Sequence, residues 1–342
     1  MAMPNINPFD FPMSPGIGMQ GASLANYTKD SSGLAFLQGE LEKREEKLKE
    51  PLTSVDYPRD MPLVTGGGWV DTISSFNVSY GTSGGSADGL MANDANEFPV
   101  VQADISKQLN RVFMWGQIVR VGMIEQQKMR QIGRSLDQIF DKGLHLSYDK
   151  KLDENVYVGF PALGTYGLIN HPDVTTTVAP PHTAGGTDTT WEDKTPDEIL
   201  EDINSVITAT LEASEHDRRG MANAILIPYK QFQYITTRKV GVTGDKSIYT
   251  YLMENNILSA TSGEKLTIQP SVWVKGAGVG GKDRLVAYRN DKDMVHMDIT
   301  VTLKRLYTMA SPAHVAYLSP YVSQFSQVIF EYITHALYMD GI

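Results

Sequence analysis

The chain has 342 residues, of which 41% are hydrophobic and 20% charged, with a formal net charge of −10 and no cysteine. Such a length and balance describe a folded chain of roughly two domains with a sizeable buried core. The missing cysteines exclude disulfides, thiolate metal sites and cysteine nucleophiles, and the acidic balance argues against a dedicated nucleic-acid binder, which would carry a basic patch.

The first ten residues have neither a basic stretch nor an apolar run, so no signal peptide is read there, and the absence of cysteine fits a product made in a reducing cytosol. Residues 1–32 show no helical or strand period, yet carry Phe9, Phe11, Met13, Ile17, Met19, Leu24 and Tyr27 among only three charges. Ordinary disordered tails are charged and poor in apolar groups. This segment reads as an arm whose apolar groups are buried against something. Two placements stay open: on a neighbouring subunit, or back on its own domain.

Residues 33–50 predict a helix, with Leu34, Leu37, Leu41 and Leu48 near helical spacing, a Glu/Lys-rich solvated face, and Pro51 as its stop. Between Gly66-Gly67-Gly68 and Gly84-Gly85 the pattern alternates, and residues 69–80 predict a strand. Residues 98–105 predict a returning strand and residues 112–121 another, so a long hairpin is expected to project from the body. A lone two-stranded hairpin is marginal in water and needs a surface to lie on. Residues 123–146 predict a long helix whose apolar face runs through Met129, Ile132, Leu136, Ile139, Phe140 and Leu144.

Further on, Thr195-Pro196-Asp197-Glu198 opens a helix with a capping box. Residues 222–228 read as a buried strand, 229–238 and 246–255 as helical pieces, and 266–274, 284–288 and 295–307 as strands. The segment 325–337 returns as strand. This order predicts an α/β domain with helices around a central sheet. The uncharged run 306–330 is broken by Pro312 and Pro320 and carries His314, Gln324 and Gln327, so buried strands are expected there rather than a membrane span.

Motifs that could carry chemistry fare poorly. Gly276-Ala-Gly278-Val-Gly280-Gly281 matches the dinucleotide fingerprint, but strand-like residues follow it where a helix is needed, so a glycine-rich turn is expected. Gly81-Thr-Ser83-Gly-Gly85 matches the hydrolase elbow inside a glycine-serine tip. The seven histidines show no close ligand spacing. Trp69, Phe76 and Tyr80 could stack on single-stranded nucleic acid, but no interleaved basic residues accompany them, and packing on a neighbour is expected. No catalytic, cofactor-binding or metal-ligating residue is assigned.

After the long helix comes a nearly uncharged segment, 157–173, with the pattern Gly164-x-x-Gly167-Leu168-x-Asn170-x-Pro172. This junction motif, together with the order of features around it, resembles the major capsid proteins of tailed bacteriophages. Those proteins share the Hong Kong 97-type fold, which also forms encapsulin shells, and the encapsulin-like branch is the most similar. The resemblance implies an α+β fold with an N-terminal arm and helix (1–59), an extended β-hairpin loop (60–106), a peripheral domain with a spine helix (107–155) and an α/β axial domain (156–303). Residues 304–342 would return into the peripheral domain.

It further implies a non-catalytic major capsid protein that assembles as pentamers and hexamers into the icosahedral head of a double-stranded DNA phage. The partners implied are other copies of the chain, a portal, a separate scaffolding or decoration protein, and DNA held without sequence specificity; no membrane is involved. The assembly interface is expected at Phe9, Phe11, Met13, Ile17, Trp69, Phe76 and Tyr80. Some members crosslink through a lysine in the extended loop, whereas here none occurs between Lys49 and Lys107. Two alternatives stay open: an encapsulin nanocompartment holding cargo enzymes, and a soluble α/β enzyme.

Overall fold

The computed structural model describes residues 55–83, 100–131, 136–183, 188–240, 246–311 and 315–342, with backbone alone at 82–83, 129–131 and 136–138. The expected arm residues Phe9, Phe11, Met13 and Ile17 and the helix expected over 33–50 lie outside the described residues, as does the hairpin tip.

Helix α1 (Tyr57–Asp60) and strand β1 (Leu63–Thr65) precede two long strands, β2 (Thr72–Ser83) and β3 (Val100–Gly122). Helices α2 (Met123–Gln131) and α3 (Leu136–Tyr157) follow, then β4 (Thr175–Val178) and α4 (Pro196–Ala213). Next come β5 (Ala224–Ile227), α5 (Tyr229–Thr237), α6 (Ile248–Glu254), α7 (Ile257–Ser262) and β6 (Thr267–Pro270). The remaining strands are β7 (Arg284–Tyr288), β8 (Val295–Ile299), β9 (Val301–Arg305), β10 (Met309–Ser311), β11 (Ala316–Ser326), β12 (Val328–Phe330) and β13 (Leu337–Asp340).

A mixed sheet in the order β4-β13-β7-β5-β6 organises the core. Its central strands β5, β7 and β13 are buried along their whole length, as the apolar run of β5 suggests; the strand expected over 325–337 is instead broken by a turn at 333–335, and β13 begins only at Leu337. Alternate side chains feed two separate cores. Ile225, Ile227, Leu285, Ala287, Leu337 and Met339 pack with the apolar faces of α4 to α7. Leu226, Val286, Tyr288 and Tyr338 pack on the other face with Tyr148, Leu152, Val156 and Tyr157 of α3 and with β8 and β12. Helix α4 starts where the sequence says it should. Thr195 caps it, Pro196 stands in its first turn, and Glu198 completes the reciprocal box by accepting from the Thr195 amide at 2.7 Å.

A second sheet, β10-β11-β3-β2 with β9 beside β11, carries the projecting hairpin, while β1-β8-β12 forms a small third sheet. Several expectations need correction. The first hairpin strand begins at Thr72 rather than 69, because Gly66, Gly67 and Gly68 all have positive φ and keep the approach to it irregular. The two strands expected over 98–105 and 112–121 are one continuous strand, β3. It pairs with β2 through Arg111 and with β11 from Val112 onward, so the polar stretch between them never leaves the ladder.

The hairpin therefore extends past residue 106 and includes Lys107, so the loop is not free of lysine. The long helix runs on from 146 to Tyr157; its charged residues over 149–154 alternate with buried Tyr148, Leu152, Val156 and Tyr157, spaced at helical intervals. The strand expected over 266–274 stops at Pro270. Lastly, the segment 304–342 does not stay together: β11 joins β3, whereas β13 inserts between β4 and β7 of the mixed sheet.

Candidate assembly interface

Residues directly opposite one another in an antiparallel ladder share a face. Along the hairpin, Ser74 faces Leu109, Phe76 faces Lys107, Val78 faces Ile105, and Tyr80 faces Ala103. One side of this two-stranded arm therefore presents Phe76, Val78, Tyr80, Ile105 and Leu109, joined by Val101. These side chains are 48–77% exposed. The other side presents Ser75, Asn77 and Ser79 against Gln108, Ser106 and Asp104. Lys107 Nζ lies 5.8 Å from the centroid of the Phe76 ring. The arm is thus amphipathic, with its apolar face in water.

Polar contacts fix the arm at its root. The Gln324 carboxamide accepts from the Val70 amide (3.2 Å) and the Thr300 hydroxyl (3.1 Å), and donates to the Val70 carbonyl (2.5 Å). Ser75 donates to Glu331 at 2.8 Å, and Gln327 donates to the buried Asn110 at 3.2 Å. Trp69 stands at this root beneath Lys304 (5.2 Å), apart from Phe76 and Tyr80, which share the apolar face. Beyond the root, Phe113 and Trp115 of β3 turn into the body, edge-on to Phe160 and Tyr148 at 5.3 and 5.1 Å. On the opposite side of the same strand Met114 and Ile118 are exposed.

The junction motif closes tightly over the end of α3. Gly164 has φ 71°, a left-handed conformation that glycine adopts without strain. Gly167 lies against the backbone of Tyr157 and Val158, too close for any side chain. Asn170 bridges the crossing, accepting from the Gly167 amide and donating to the Val158 carbonyl, both at 2.8 Å. Leu168 is buried, and its amide donates to the Val156 carbonyl at 2.8 Å. Pro172 sits exposed in the following turn.

The last strand then locks the junction from the far side. Tyr338 donates its hydroxyl to the Leu168 carbonyl (2.7 Å), and Arg284 donates to the Ile169 carbonyl (2.8 Å). Arg284 also holds Asp340 through two bonds of 2.6 and 2.9 Å. Burial opposes the Asp340 carboxylate, yet the Arg284 bonds and the Val279 amide draw its pKa below the ordinary carboxylate value.

A second buried node ties α1 to the base of α3. The Tyr157 hydroxyl donates to the Asp60 carboxylate, which also takes the Arg59 guanidinium at 2.6 Å, while the Asp60 carbonyl accepts from Tyr288 at 2.5 Å. Asp153 accepts from the Tyr57 amide (3.1 Å) and the Trp273 indole (2.8 Å). Burial raises the Tyr157 phenol far above its usual range, so it acts as a fixed neutral donor.

The arm residues Val78, Val101, Ile105 and Leu109 and the locking residues Asp60, Arg284, Tyr338 and Asp340 escaped sequence reasoning. For the arm a signal existed: Val101, Ile105 and Leu109 recur at even spacing, which in a strand puts them on one face. For the locking residues none did.

The family model described as major capsid protein matches residues 85–342. The chain belongs to the major capsid protein family. As a major capsid protein it has a structural, capsid-forming role in the virion. Comparison with curated proteins finds no match. Among solved structures, the capsid of Myoviridae phage XM1 has a TM-score of 0.71 at 16% identity, covering 89% of this chain and 98% of that chain. The capsid of the native GTA particle has a TM-score of 0.61 at 9% identity, covering 90% and 98%. That of Microbacterium phage Oxtober96 has a TM-score of 0.57 at 12% identity, also covering 90% and 98%. These likenesses establish the α+β Hong Kong 97-like fold for this major capsid protein.

Proposed function

We propose that copies of this chain form the wall of an icosahedral head enclosing double-stranded DNA, and that the arm is the main grip between neighbouring copies. One observation carries this reading: the face built from Phe76, Val78, Tyr80, Val101, Ile105 and Leu109 is apolar and exposed, on a ribbon whose polar contacts to the body, among the described residues, gather at its root. Contiguous exposed apolar surface of this kind marks an interaction site, and its burial is worth ~25 cal/mol per Å². Met114 and Ile118, on the opposite side of β3 beyond the root, offer a receiving surface on the next copy. Arms laid over neighbours in this way give a head-to-tail contact, the kind that closes rings such as pentamers and hexamers.

On this reading the role is structural and not enzymatic. In the cleft beside α5, of about 320 Å³, Lys230 is paired with Glu192 at 2.7 Å and Asp283 accepts from Gln231 and Gly276. The Gly276–Gly281 loop runs straight into β7 rather than into a helix N-terminus. A portal, a scaffolding or decoration protein, and DNA held without sequence specificity complete the proposed partners. Assembly would occur in the host cytoplasm.

The test is the double variant Phe76→Ser, Tyr80→Ser, followed by light scattering and negative-stain imaging. Loss of aromatic anchors at an interface typically costs ~2 kcal/mol or more each. The expected result is a folded subunit that no longer forms particles. Shells of normal size and yield from the double variant would refute the reading.

A further inference from the structure

In the arm, β2 pairs with β3 along one edge only, and among the described residues no strand pairs its other edge. Among the described residues β3 is likewise free over 100–110 on the side away from β2, since the Gln327 amide takes the Arg111 carbonyl and β11 pairs from Val112 onward. A free edge is a row of unpaired N–H and C=O groups, and soluble proteins protect such edges with charge, proline or a bulge. The two edges differ in this respect. β3 carries Asp104 and Lys107 over that stretch, with Arg111 at its end. β2, with the sequence Thr72-Ile-Ser-Ser-Phe-Asn-Val-Ser-Tyr-Gly-Thr-Ser83, carries no charge and no proline, and its register with β3 runs unbroken from end to end. β2 is the unprotected edge.

We propose that the free edge of β2 pairs antiparallel with the β2 edge of a second copy of this chain across a two-fold axis, joining two arms into one four-stranded ribbon. This rests on the reading of the arm as an inter-subunit element, and adds a backbone contact to its apolar face. A neutral strand can meet its own copy without the repulsion that like charges directly opposite one another would bring. The alternation of side chains also permits it. A two-fold axis perpendicular to the ribbon keeps each face on its own side, so Phe76, Val78 and Tyr80 of both copies extend one continuous apolar surface. The serines and Asn77 of both copies line the other side.

The same geometry makes a sharp demand. Residues directly opposite each other share a face, so each residue and its partner differ in number by an even amount. The axis must then pass beside one residue that meets its own copy. Directly opposed Cα atoms stand ~4.5–5.5 Å apart, within the ~4.4–6.8 Å span of a disulfide.

The chain has no cysteine, so single cysteines introduced one at a time at every position of β2 give a clean readout. Full-length variants are assembled, oxidised with diamide, and run on non-reducing gels. One position should convert the 37.8 kDa chain largely to a covalent dimer, with its immediate neighbours in sequence giving little. Normal particles with no dimer at any position, or with dimer at all positions alike, would overturn the pairing. The Phe76→Ser, Tyr80→Ser variant separates the two readings. Loss of particles there, with no crosslink from any single cysteine in otherwise unaltered particles, leaves the apolar grip standing and removes the edge pairing.

Discussion

Gly167 lies against the carbonyl of Tyr157 so closely that a Cβ on it would stand 2.3 Å from the carbonyl carbon and 2.4 Å from the oxygen. The obstructing atoms are backbone at the buried end of α3, and they cannot swing aside as a side-chain tip can. Gly167→Ala is expected to cost about 3 kcal/mol or more, the upper range for overpacking. At Gly164, where no atom comes within 4 Å of a built Cβ, the cost is only that of a left-handed residue, about 1–2 kcal/mol. Urea denaturation of the two variants checks the order, and Gly164→Ala proving the more damaging would contradict it.

Asn170 is expected to behave as a two-ended staple. Asn170→Ala leaves the Gly167 amide and the Val158 carbonyl without their side-chain partner, at a cost of about 1–3 kcal/mol. Asn170→Asp keeps the acceptor for Gly167 but turns a carboxylate oxygen toward the Val158 carbonyl, so it should not restore stability. Recovery of the wild-type midpoint by aspartate would show that only the Gly167 bond matters.

The Arg284–Asp340 pair is buried and spans β7 and β13. Removing one partner strands the other charge, and Asp340→Asn or Arg284→Met should each cost about 3–5 kcal/mol. Their combination should be less severe than the sum of the two. Additive losses in a double-mutant cycle would mean that the two side chains act independently.

His335 sets an acid-side limit. It is buried, with Nδ1 beside the Gly220 backbone, and it is faced by Asp217, Arg289 and the Tyr332 ring; the Gly220 backbone and Asp217 favour its protonated form without overcoming burial. Burial is the chief reason its pKa falls below the ordinary histidine value, with Arg289 adding to it. The unfolded chain therefore binds the proton more readily than the folded one. Stability is full above the unfolded pKa of ~6.5 and is lost as pH falls toward the depressed folded value. His171, half-buried beside Phe330, pushes in the same direction. His335→Phe should flatten part of the slope of melting temperature against pH below about 6.5. Parallel slopes for variant and wild type would clear His335 of the role.

Much of the architecture was legible from local signals, because those signals act within a few residues. The capping box of Thr195 and Glu198 starts α4 by satisfying the helix's own first amides. The apolar runs of β5 and β7 announce strands buried on both faces. The junction was recognisable for a similar reason: Gly164, Gly167 and Asn170 serve a backbone crossing completed within thirteen residues of Val158.

What the tertiary structure alone decided lies at long range. The stretch of β3 over 106–111 holds one apolar residue, Leu109, too little to mark a strand by itself, since in the arm ladder pairing, not burial, holds the chain extended. The end of α3 was hidden because its charged residues find partners far away, as when Asp153 caps Tyr57 across 96 residues. Asp60 with Tyr157 is separated by 97 residues and Arg284 with Asp340 by 56. A single carboxylate in a sequence of many carries no mark of its partner. The chain's own letters determined which segments could be helix, strand or turn. Which of them meet was settled by the burial of two cores on opposite faces of one sheet, where each polar group taken from water had to find its bond inside.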